Sequence, residues 1–195
     1  MRLFDKTDWL RGIVSVGLLA ASIGVASANV TPTLDSVLPS GSDWKWTYKV
    51  EVDAVQQVMT DDYFTIYDFA GYTGVHSEPA GWSLVTSLMG ATPGTVIPAD
   101  DGGILNLTWK RTGGTLTGPM PLGYFWANSS YSEHVQDNFT GLAHRISDGT
   151  QIANIGTVDV PSGTPEPCSM ALLGAGAFPL LRGLRRRRTA KNPKA

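Results

Sequence analysis

Between residues 44 and 53 the chain alternates without a fault. Trp44, Trp46, Tyr48, Val50 and Val52 are apolar, while Lys45, Thr47, Lys49, Glu51 and Asp53 are polar. A period of two belongs to a strand with one face on a core and the other in water. The stretch 63–69, Tyr-Phe-Thr-Ile-Tyr-Asp-Phe, is apolar or aromatic on both faces and stops at Ala70-Gly71, which predicts a central strand running into a turn. Further strand candidates are 82–88, 105–109, 124–127, 134–142 and 152–160. They are separated by turn signals at Pro93-Gly94, Asp100-Asp101-Gly102-Gly103, Gly113-Gly114 and Asp148-Gly149. Residues 29–43 hold Pro32, Pro39 and Gly41 with little periodicity and read as a linker. Short strands at this spacing, with no long helical period between the termini and no internal repeat, predict an all-β chain: a single β-sandwich or jelly-roll domain over 44–163.

The ends follow a different pattern. Residues 1–28 combine basic Arg2, Lys6 and Arg11, an apolar stretch from Gly12 to Val25, and the small residues Ala26-Ser27-Ala28. These are the three parts of a secretory signal peptide, with cleavage expected after Ala28. At the other end, Thr164-Pro165-Glu166-Pro167 is followed by an uncharged run from Cys168 to Leu181 and then Arg182, Arg185, Arg186, Arg187 and Arg188. The prolines hold the tripeptide extended and open to a protease. The run predicts a short transmembrane helix, about 21 Å long against a hydrocarbon core of ~30 Å. Its arginines place residues 189–195 in the cytoplasm.

The order Pro165-Glu166-Pro167, short hydrophobic segment and Arg-rich end resembles the PEP-CTERM sorting signal of exported Gram-negative bacterial proteins, over residues 164–188. The resemblance implies processing by a membrane protease and transpeptidase, the exosortase, after signal peptidase has acted at the other end. It also implies transient anchoring in the inner membrane, delivery to the cell surface or extracellular matrix, and association with exopolysaccharide. More loosely, 62–69 followed by Pro79-Ala80-Gly81-Trp82 resembles the central domains of other proteins with this tail, which implies a β fold and no particular activity.

Charge sharpens the division. The whole chain has a formal net charge of −2, yet residues 29–164 carry 5 basic against 14 acidic side chains, a difference of −9. An acidic passenger argues against nucleic acid and anionic lipid as partners. Its one cysteine, Cys168, lies in the tail, so neither a disulfide nor a cysteine nucleophile serves the passenger, and a hydrophobic core must hold it together.

Candidate chemistry is sparse. His76, His134 and His144 lack metal-ligand spacing, and His76 reads as a residue of a Gly-flanked loop. Glu51 and Asp53 share a solvated strand face with Lys45 and Lys49. The serine-elbow and phosphate-loop patterns are absent. Asp61-Asp62 and Asp100-Asp101-Gly102 offer hard oxygens for calcium, although turn formation explains both. Among the aromatics, Trp44, Trp46 and Trp109 are expected in the core and Tyr72 and Tyr131 in exposed loops, with Trp82, Trp126 and Tyr124 as further sugar-stacking candidates. Asn106, Asn128 and Asn138 head glycosylation triplets. The expectation is a non-enzymatic, cofactor-free structural or binding protein. The alternatives are a secreted polysaccharide hydrolase and a calcium-stabilised adhesive or carbohydrate-binding module.

Overall fold

The computed structural model describes residues 30–163, and they are all-β. Eleven strands follow one another: β1 (Val30–Ser40), β2 (Asp43–Val52), β3 (Gln56–Val58), β4 (Tyr63–Ile66), β5 (Tyr72–Ser77), β6 (Trp82–Ser87), β7 (Asn106–Arg111), β8 (Leu116–Thr117), β9 (Met120–Ser129), β10 (His134–Arg145) and β11 (Gln151–Pro161). A four-stranded sheet runs β1-β2-β9-β5, and a seven-stranded sheet runs β6-β7-β4-β10-β3-β8 with β11 paired to β10. Every pairing is antiparallel.

The alternation of β2 sets the inner face of the smaller sheet. Trp46, Tyr48, Val50 and Val52 are buried, and with Phe125 and Ala127 of β9 they meet Phe64, Ile66, Leu107, Trp109, Phe139 and Val160 of the larger sheet in one core. Phe64 is its centre: it stacks on Trp109 at 5.2 Å and takes the edges of Phe125 at 5.0 Å and Trp82 at 5.9 Å. Each such pair adds about 0.5–1.5 kcal/mol to the area it buries. This core closes within residues 30–163, from buried Val30 to buried Val160, so the segment has what a domain needs to fold by itself. Among the described residues no helix is long and apolar enough to cross a membrane. The signal stretch 1–28 and the tail 164–195 lie outside them.

The linker reading of 29–43 is corrected. Residues 30–40 form β1, whose register runs from Val30↔Val52 to Ser40↔Asp43. Two causes hid it. Pro32 and Pro39 are tolerated because β1 is an edge strand, and an irregularity between Leu34 and Ser36 puts Asp35 out of step and breaks the period of two. Tyr72 and His76 likewise stand on strand β5 rather than in loops, on the opposite edge of the same sheet. Trp46 and Trp109 are fully buried as expected, whereas Trp44 is only half-buried.

β4 is central, as its sequence predicts, and what covers its outer face is a loop. Residues 88–105 cross the larger sheet, where the Thr65 and Tyr67 hydroxyls both donate to the Ala91 carbonyl at 2.7 and 3.1 Å, and Tyr67 also bonds Thr92 at 2.6 Å.

A candidate binding crevice at the end of β11

Four segments meet where β11 finishes: the turn after β4, the loop before β7, the start of β10, and Tyr131 in the β9–β10 connection. They enclose a crevice of about 620 Å³ whose walls include Asp68, Tyr72, Asp101, Tyr131, Asp137 and Gly163. The described chain ends on its rim.

The turn after β4 is shaped by two left-handed residues, Asp68 (φ 51°) and Gly71 (φ 67°). Aspartate is one of the few side chains that tolerates this region. Gly71 has a second reason, since a Cβ there would stand 2.5 Å from the Ser130 hydroxyl and 2.6 Å from the Tyr131 ring. That close approach holds Tyr131 against the turn.

Asp68 is almost wholly buried, and its backbone N–H donates to the Asn106 side-chain oxygen at 2.8 Å. Asn106 donates in turn to Asp100 at 2.8 Å. The Asp101 N–H donates to both carboxylate oxygens of Asp68, at 3.0 and 3.1 Å. Burial is the main cause that pushes the Asp68 carboxyl up to about 6. The Asp101 N–H works against it, while Asp137, through its charge and a side-chain hydrogen bond, and Asp100 push further upward. Below that pH Asp68 carries a proton. The crevice thus offers two tyrosine rings and three aspartate side chains: planar apolar faces beside groups that accept from hydroxyls.

The remaining candidates scatter. Asp61 pairs with Lys110 at 2.8 Å. Asp62 accepts from the Met59 N–H at 2.7 Å and meets His144 Nδ1 at 2.9 Å, while its burial raises the carboxyl's pKa. Asp101 also accepts from the Gly103 N–H at 2.9 Å, closing the turn. Among the described residues no group of three or more His, Cys, Asp or Glu converges to hold a metal. His76 takes the Tyr72 hydroxyl at 2.6 Å, and His134 lies against the Trp46 ring at 4.9 Å. Glu51 pairs with Lys49 at 2.7 Å on the solvated face of β2, as alternation predicts. Trp82 and Trp109 are core residues, and Asn106 and Asn128 are buried, which removes both as glycan acceptors in the folded protein. Pro165, Glu166, Pro167, Arg185, Arg186, Arg187, Arg188, Ala26 and Ala28 lie outside the described residues.

Sequence reasoning singled out Tyr72, Tyr131 and Asp101 but missed Asp68 and Asp137. The one local signal for Asp68 is an acid standing before Ala70-Gly71 at the end of an apolar strand. No family model matches the chain, and no curated protein matches it.

Proposed function

We propose that this chain is an exported β-sandwich protein of the cell surface or extracellular matrix, sorted through a PEP-CTERM signal, whose passenger domain binds polysaccharide without cleaving it. Signal peptidase acts at Ala28, and an exosortase-type protease acts at Pro165-Glu166-Pro167 while Arg185–188 hold the tail in the inner membrane. Support for the address is the pair of matched termini flanking an acidic passenger. Support for the binding role is a single observation: the crevice sets Tyr72 and Tyr131 beside Asp68, Asp101 and Asp137. Sugars are recognised by this combination, because their C–H faces lie on aromatic rings while their hydroxyls donate to carboxylates.

Replacing Pro165, Glu166 and Pro167 by alanines is expected to leave full-length protein in the inner membrane, followed by fractionation and intact mass; unchanged processing and delivery would refute the sorting signal. Retardation of the domain in gels containing galactomannan or dextran, lost in Tyr131→Ala, tests the crevice. Free migration in both gels counts against it.

The glycosidase reading draws on Asp68, whose raised pKa suits a general acid. Against it, retaining enzymes hold their two acids about 5–5.5 Å apart and inverting ones about 6.5–9.5 Å apart, with the sugar between them. Asp137 instead stands beside Asp68 across adjacent segments of one sheet, close enough for its charge to push that carboxyl upward. Release of reducing ends from either polymer, abolished by Asp68→Asn, would favour the enzyme.

A further inference from the structure

The smaller sheet turns its outer face away from the core. On β9, Phe125 and Ala127 point inward, so Tyr124 and Trp126 point out, Tyr124 more than half exposed at 55% and Trp126 partly so. Directly opposite them on β2 stand Lys49 and Thr47, with Lys45 one pair further along, across from Asn128. The two rings are therefore about 7 Å apart on one strand face, close enough for one extended chain to lie across both.

The cations of the domain distinguish this face. Lys49, Lys110 and Arg145 each sit 2.7–2.9 Å from a carboxylate. Arg111 is buried and donates to the carbonyls of Ala80, Gly81 and Gly114. Among the described residues Lys45 is the one lysine or arginine outside the core with no carboxylate in ion-pair distance. Its ammonium lies 5.6 Å from the centre of the Trp126 ring. Such a cation, held beside a partly exposed indole, is one carboxylate short of a pair. Glu51 shares the face but is neutralised by Lys49, and Asp43 lies two residues before Lys45 on the same side.

From this geometry we infer that the outer face of the smaller sheet is a second glycan site, specific for an acid-bearing polysaccharide such as a polyuronate: sugar rings stack on Trp126 and Tyr124, and one uronate carboxylate pairs with Lys45. Charge complementarity selects the occupant. Elsewhere the domain is acidic and repels a polyanion, so the chain seats on this face and in the register that Lys45 dictates. The inference rests on the reading that the domain works among polysaccharides, but it uses no residue of the crevice, so the two fail separately.

The test uses residues 30–163 and two probes: polygalacturonate, and the same polymer methyl-esterified, which keeps the rings and removes the charge. Affinity is read by calorimetry and by retardation in polymer-containing gels. The unmodified domain is expected to bind polygalacturonate about tenfold or more tightly than the ester, the value of one charge-assisted hydrogen bond. Lys45→Gln erases that preference. Tyr124→Ala and Trp126→Ala weaken both probes, and the exposed Tyr124 makes the first variant safe for folding, with thermal melting as the check. Val85→Ala, an exposed change on edge strand β6 of the larger sheet, leaves polygalacturonate binding unchanged. Equal affinity for the two polymers, no binding of polygalacturonate, or unchanged binding in Tyr124→Ala would each overturn the proposal.

Discussion

Replacing Asp68 by asparagine puts the carboxyl pair to a quantitative test. In the unfolded chain an aspartate titrates near 3.9, and in the fold Asp68 is pushed up to about 6. Because the folded value is the higher one, the folded state holds this proton more tightly. The group's contribution to stability is complete below about pH 4, falls as pH rises from 4 to 6, and is gone above 6. Two units at about 1.36 kcal/mol each set a ceiling of roughly 3 kcal/mol. Asp68 lines a crevice open to the surface, and screening there reduces the expected effect to about 1–2 kcal/mol. Asparagine is neutral at every pH, keeps an oxygen for the Asp101 N–H, can donate to Asp137, and tolerates φ 51°. Asp68→Asn should therefore melt roughly 3–8 °C above the natural protein at pH 8, with the difference closing by pH 4. Thermal unfolding followed by tryptophan fluorescence between pH 4 and 8 measures it. Since other carboxylates titrate in the same range, the difference between the two proteins is the quantity to read. A difference that does not change with pH, or a variant less stable at pH 8, would refute the raised Asp68 carboxyl.

Two further predictions concern the framework. Gly71→Ala places a Cβ 2.6 Å from the Tyr131 ring at φ 67°, and should cost about 1–3 kcal/mol in chemical denaturation while abolishing retardation in galactomannan gels. Phe64→Ala empties the space between Trp109, Phe125 and Trp82, and should cost about 3–5 kcal/mol. That is a large part of the ~5–15 kcal/mol typical of a domain, so a folded variant melting within a few degrees of the natural protein would contradict the core assignment.

Some of this was legible before any coordinates. The all-β class, the inner and outer faces of β2, the central position of β4 and the acidic character of the passenger follow from spacing and composition, because a strand's period of two is a local property and net charge is a sum over the chain. Elsewhere, local rules failed for identifiable reasons. Two prolines, which the edge position of β1 tolerates, and an irregularity at Asp35 disguised this strand. The polar β5, with Gly74 in the left-handed region, offers no alternation to detect.

The proposed address is legible in the same way, since the residues up to Ala28 and the Pro165-Glu166-Pro167 tail are patterns contiguous in sequence. What the chain could not display is any site assembled from distant segments. Asp68 and Asp137 belong to different strands' ends and become a pair only because β10 lies beside β4 in the larger sheet. Asp101 joins them because the loop 88–105 folds back over that sheet. Lys45 and Trp126 meet because β2 and β9 pair in one register, and a slip of one residue would send Trp126 into the core and Phe125 into water. Strand identity and the proposed sorting signals are local patterns, whereas both candidate binding surfaces arise from strand order and register, which long-range packing decides.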